Sequence, residues 1–152
     1  MKKFFLTLGV IFLVLLVLGA IGFGYFAFRG NTLDKESKAY VDAAIPAIVT
    51  NWNKKELLER ASPEFKKEVS DTQIDQLLHQ FTTLGRFITF DSAKGQSATS
   101  VTTQIGKVIT AQYDAKGYFE KGAAIIRISL IKHGDQWQIL GFFVNSPKLV
   151  AK

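Results

Sequence analysis

The amino-acid sequence predicts an α+β fold: an N-terminal transmembrane helix, then three helices packed on a curved, four-stranded antiparallel sheet. Three observations carry this expectation. Residues 4–28 contain no charge. Between Thr32 and Leu84 apolar residues recur at helical spacing, punctuated by capping residues. After Gly85 the apolar period falls to two. The 152 residues thus divide into an anchor with a short cytoplasmic start, residues 1–30, and an extracytoplasmic domain, residues 31–152.

The anchor is read from Phe4 to Phe28, where Thr7 is the one clearly polar residue. At about 1.5 Å per residue, such a helix outlasts a hydrocarbon core of roughly 30 Å. A cleavable secretory signal is the competing reading. Its apolar region is shorter, roughly 7–15 residues, and Gly22-Phe23-Gly24 is a poor cleavage site. A buried core helix would need a polar face, which this run lacks. Lys2, Lys3 and the N-terminal amine stand at one end, and a lone Arg29 at the other, soon followed by mixed charge. The positive-inside rule therefore places the N terminus in and the domain out. Gly30-Asn31-Thr32 reads as a short linker.

The first helix of the domain is expected from about Thr32 to Trp52, with Val41, Ala44, Ile45, Ile48 and Trp52 as its stripe. Pro46 removes one backbone donor and predicts a kink. A short second segment follows: Asn53 caps Lys54–Arg60, and Ser62-Pro63-Glu64 restarts the helix with an N-cap, a proline at the first position and an acid in the first turn. The third helix begins with a capping box, Ser70 to Gln73, flanked by Val69 and Ile74 as a hydrophobic staple. Ile74, Leu77, Leu78, Phe81 and Leu84 form its apolar face, and Gly85 ends it.

Four strands are expected next: Phe87–Phe90, one within Thr102–Tyr113 that extends toward Tyr118, Ala123–Lys132, and Trp137–Asn145. Asp91-Ser92-Ala93-Lys94-Gly95 reads as a turn-rich stretch, and His133-Gly134-Asp135 as a tight hairpin. With Gly134-Asp135 as a two-residue loop, one face presents Ala124, Ile126, Ile128, Leu130, Trp137, Ile139 and Phe143 toward the helices. The other presents Ile125, Arg127, Ser129, Ile131, Gln138, Leu140, Phe142 and Val144. This second face is mixed, yet apolar for a surface, and predicts either an interface or a cover supplied by the N-terminal helix or the C-terminal tail.

Composition narrows the function classes. Six of the thirteen Phe lie in the first thirty residues, as do three of the nineteen Lys and Arg but none of the thirteen acids, leaving sixteen bases against thirteen acids, or +3, on the domain. Its longest basic runs are the pairs Lys54-Lys55 and Lys66-Lys67 with acids nearby. That is a solvated helix face rather than the clustered footprint of a nucleic-acid binder, so no nucleic-acid partner is expected. The absence of Cys removes disulfides, thiolate nucleophiles and Cys-based metal sites.

The Trp52 position, the Ala61-Ser62-Pro63-Glu64-Phe65 segment, the helix end Phe81 to Leu84-Gly85, Tyr113 with Phe119 and Gly122, and Gln136-Trp137-Gln138-Ile139 leading into Gly141-Phe142 together carry a resemblance. Over about residues 36–146 the chain resembles the nuclear-transport-factor-2-like superfamily. More closely, it looks like small membrane-anchored envelope proteins of bacteria within that superfamily. The resemblance implies a cystatin-like roll. With the predicted orientation it implies a place in the bacterial inner membrane, N terminus cytoplasmic, domain in the periplasm or outside. It does not convert into an activity, because members include isomerases, dehydratases, transport adaptors and secretion-system assembly proteins.

Isomerase-type members hold a conical pocket with a carboxylate base and a Tyr or protonated acid as oxyanion donor. Here Asp91 falls at a turn and Asp114 at a strand end, and Tyr113 and Tyr118 lie on or beside the second strand. They form no catalytic set, and none is expected. His79 is predicted to pair with Asp75 on a helix surface, and His133 sits in the hairpin. They share no metal-ligand spacing, so no metal and no cofactor are expected. The leading expectation is a non-enzymatic module that uses Ile125, Arg127, Leu140, Phe142 and Val144 to pair with itself or with an envelope protein. The alternative is a small apolar-ligand or isomerase-like pocket lined by Trp52, Phe81, Tyr113 and Phe143. A third reading is an assembly subunit of a secretion machine.

Overall fold

The structure, a computed structural model, describes residues 31–150. It is α+β and antiparallel as expected, but the sheet has five strands rather than four. The predicted anchor, Phe4 to Phe28, lies outside the described residues. No helix among the described residues is long and apolar enough to cross a membrane. The predicted architecture, a transmembrane helix followed by three helices on a four-stranded sheet, is corrected to an α+β fold with a five-stranded antiparallel sheet.

Helix α1 is described over residues 31–49, so Asn31 and Thr32 are already helical instead of forming a linker. It continues past Pro46 and buries Val41, Ala44, Ile45, Ile48 and Val49 almost completely. The Asn53 amide donates to the Ile48 carbonyl at 2.8 Å, the bond that marks a Schellman-type helix end. The left-handed residue of that ending is usually glycine. Here it is Trp52, with φ of 48°, the only described non-glycine residue at positive φ. A left-handed conformation costs an L-residue about 1–2 kcal/mol. Burial of the indole against Phe81 and Phe119, at ring-centroid distances of 5.0 and 5.4 Å, offsets that cost.

Three short helices follow with the caps the sequence predicts. Asn53 accepts from the Glu56 amide at the start of α2, Lys54–Arg60. Ser62 accepts from the Phe65 amide ahead of α3, Pro63–Glu68. Ser70 and Gln73 form the reciprocal capping box of α4, Asp71–Phe81. A 3₁₀ turn, Thr82–Leu84, extends α4 to Gly85, whose φ of 79° suits glycine at a helix end. Ile74, Leu78, Phe81 and Leu84 are buried, whereas Leu77 remains 44% exposed.

The strands are β1 (Phe87–Phe90), β2 (Lys94–Thr102), β3 (Gly106–Phe119), β4 (Gly122–His133) and β5 (Gln136–Asn145). The long β3 is central. One side pairs with β4, and the other pairs with β2 along its first half and with β1 at its end. The strand missing from the sequence reading is β2. Lys94-Gly95, expected in a turn, begins a nine-residue strand of mostly small polar residues without an apolar alternation. Its edge is met by α1, where Asp34 accepts from the Ser97 amide at 2.7 Å and Asp42 from the Ala93 amide at 3.3 Å. Gly95 is required there, because a Cβ would lie 1.9 Å from the Gln112 carbonyl oxygen. A short helix α5, Pro147–Val150, closes the described chain and packs on the 3₁₀ turn.

The β4–β5 hairpin has the predicted two-residue loop, with His133 opposite Gln136. Its register then departs from the prediction. Ser129 faces Gly141 while Leu130 faces Ile139, so Leu140 is an extra residue, a β-bulge. One extra residue exchanges the faces of everything after it. Ala111, Tyr113, Ala115 and Phe119 of β3, Ala124, Ile126, Ile128 and Leu130 of β4, and Trp137, Ile139 and Val144 of β5 are the buried inner side.

Candidate functional site

The bulge at Leu140 relocates three of the residues singled out from sequence. Phe143, expected to face inward, lies opposite Arg127 and is 62% exposed. Phe142 and Val144, expected outward, turn toward the helices: Phe142 lines an apolar cleft with Phe65 and Phe81, and Val144 is only 5% exposed. Ile125, at 41% exposure, and Arg127 stay on the outer face as expected. Leu140 is half-buried and lines an outer groove of about 520 Å³ beside Gln112 and Ser129.

The four residues named as pocket lining do not converge. Trp52 and Phe81 belong to an aromatic cluster with Phe119 and Phe87. Tyr113 is buried under α1, its hydroxyl 2.8 Å from Ser37 Oγ and donating to the Asp34 carbonyl at 3.1 Å. Burial pushes the Tyr113 hydroxyl above its ordinary pKa, so it remains protonated. Phe143 is on the other face. The apolar cleft between α2, α3, α4 and Phe142 holds about 50 Å³, room for little more than one water molecule.

On the outer face, the registers of four strands set out a row. Lys94 opposes Asp114, Asp114 opposes Arg127, and Arg127 opposes Phe143. Arg127 grips Asp114 with two parallel hydrogen bonds of 2.8 Å, through Nε and Nη2. The Arg127 hydrogen bonds hold the Asp114 carboxyl below its ordinary value. In the next row, Lys116 opposes Ile125 and Ile125 opposes Asn145. Ile125 and Phe143 are therefore diagonal neighbours, a spacing that aromatic side chains bridge. Both are exposed, Phe143 more than Ile125.

The remaining candidate groups are scattered. Tyr118 donates to Asp91 at 3.0 Å on the surface. Asp75, expected to pair with His79, instead meets Lys54 at 2.9 Å. His133 lies 3.0 Å from Glu64, joining the hairpin to the start of α3. No cluster of three His, Asp or Glu placed to hold a metal ion occurs among the described residues. One site had no sequence signal at all: a polar cleft of about 520 Å³ drawn from Glu36, Tyr40, Arg60 and Trp137, residues a hundred positions apart. No protein-family model matches the chain, and no curated protein matches it.

Proposed function

We propose that this chain is a membrane-tethered, non-enzymatic module of the bacterial cell envelope that pairs with a second copy of itself through the outer face of its sheet. The observation that carries this reading is the exposed Ile125–Phe143 pair beside the Arg127–Asp114 grip. Apolar side chains flanked by a mixed-sign polar rim are the composition of a protein interface. The occupant follows from charge. The row Lys94, Asp114, Arg127 alternates in sign, so a two-fold axis passing between Asp114 and Arg127 sets the acid of each copy against the guanidinium of the other. The uncharged run of residues 4–28, preceded by Lys2 and Lys3, supports the tether. Confinement to one membrane raises the effective concentration of the two copies, so a modest face suffices.

No observation favours the apolar-ligand reading, since Trp52, Phe81, Tyr113 and Phe143 share no cavity and the apolar cleft is small. Native mass spectrometry on the full chain, released from detergent, separates the two. The proposal expects a dimer of unadorned mass that Phe143→Asp converts to monomer without changing the circular dichroism. A wild-type monomer, or a species carrying a reproducible small added mass, would overturn it.

A further inference from the structure

The β2–β3 hairpin runs past its supporting helix, and two hydrogen bonds show in which direction. Asp42 accepts from the Ala93 amide and Asp34 from the Ser97 amide, so α1 and β2 lie side by side with opposite chain sense. Moving along α1 toward the N terminus is therefore moving along β2 toward the hairpin tip. Beyond Ser97, β2 continues to Thr102, about 17 Å at the rise of a strand. The tip thus lies at the same end of the domain as Asp34, where the chain leaves toward its N terminus. Asp34 follows Phe28, the last residue of the uncharged run, by six positions, no more than about 22 Å of chain.

The composition of the tip says what it would meet there. Thr103-Gln104-Ile105 is a three-residue loop closed by Gly106 at a φ of 78°. Residues 98–101 and 103–107 are all exposed, so the end of the hairpin takes little packing from its own domain. Val101 and Ile105, at 74% and 76% exposure, are the most exposed large apolar side chains among the described residues. Between Asp91 and Asp114 the chain has no acid, and its charges there are Lys94 and Lys107, the latter opposite Val101. Apolar side chains beside a lysine, with no acid to repel a phosphate, are complementary to an anionic phospholipid surface. We infer that the tip docks on the phospholipid surface of the membrane that holds the tether, with Val101 and Ile105 in the headgroup layer and Lys107 on a lipid phosphate. The inference rests on the tether of the proposed function and not on self-pairing, since Lys116, opposite Ile125, is about 30 Å from Lys107 along β3.

The test uses the full chain with Gln104→Cys or Lys55→Cys, each carrying a nitrobenzoxadiazole fluorophore. Each is reconstituted in vesicles of phosphatidylglycerol and phosphatidylcholine, with and without a lipid spin-labelled high on its acyl chain. The label at position 104 should shift to the blue and be quenched by the spin-labelled lipid, while the label at position 55, on the exposed surface of α2, stays water-like. Val101→Ser together with Ile105→Ser should abolish both signals. Lys107→Gln, which leaves the apolar pair in place, should lower the ratio of docked to free tip about fivefold, the contribution of one lysine at such a surface. A chain that floats with the vesicles while position 104 stays as wet as position 55 overturns the inference and leaves the tether standing. A blue shift without lipid quenching assigns the tip to a protein surface, a second copy included, and also overturns it. A chain that does not float with the vesicles contradicts the tether and the inference with it.

Discussion

The two faces of the sheet are built from the same strands and alternate residue by residue, yet they do opposite work. On β4, Ile126 and Ile128 face inward and are completely buried, while Ile125 and Arg127, which alternate with them, face outward and are exposed. The inner face meets the helices through apolar contact and a deep polar link, Tyr113 to Ser37 and Asp34. The outer face carries the Arg127–Asp114 pair and leaves Ile125 and Phe143 open. An isoleucine therefore stabilises the fold or is available to a partner according to parity alone, and the Leu140 bulge sets that parity along β5.

Two neighbours on β4 should separate the faces most clearly. Ile126→Ala should cost about 2–5 kcal/mol in urea unfolding, while Ile125→Ala should stay within about 0.5 kcal/mol in the dissociated protein. Equal losses would contradict the assignment of faces. Across the bulge, Phe142→Ala should lose about 2 kcal/mol through its packing on Phe65 and Phe81, and Phe143→Ala nearly nothing. Ser70→Ala should remove about 1 kcal/mol by leaving the start of α4 uncapped, measured the same way.

The smallest effect belongs to the outer ion pair. Asp114→Asn should cost less than about 1 kcal/mol and less still at high salt, because the pair is solvent-exposed. Its pH dependence has a definite sign. Arg127 lowers the Asp114 pKa below the ordinary 3.8 in the folded chain, so its contribution is full above that value. It is lost as pH falls through the folded value. The stability gap between wild type and Asp114→Asn should therefore close in acid, and a gap that widened there would refute the pairing.

The helical layer was legible because capping is local chemistry. Asn53, Ser62 and Ser70 each bind an amide three residues on, and spacing alone reveals that. The hairpin loop at Gly134-Asp135 was legible for the same reason. Features set by tertiary context were not. The β2 strand buries no apolar stripe, so period two leaves no trace in Gln96-Ser97-Ala98-Thr99-Ser100. The left-handed Trp52 has no local signature, since its strain is offset by Phe81 and Phe119 from distant elements. The bulge is one inserted residue, invisible in composition, and it moved Phe142, Phe143 and Val144 to faces opposite those predicted. Three of the five residues expected on the outer face, Ile125, Arg127 and Leu140, lie there because they precede or coincide with that insertion.

Placed cysteines report self-pairing through the outer face, because the chain has none of its own. Ile125→Cys on the outer face and Lys55→Cys on the exposed surface of α2 would each be introduced into the full chain in its membrane. Both would then be treated with a short bis-maleimide. Self-pairing should give a covalent dimer through position 125, abolished by adding Phe143→Asp, and none through position 55. Equal crosslinking at both positions, or none at 125, would contradict it.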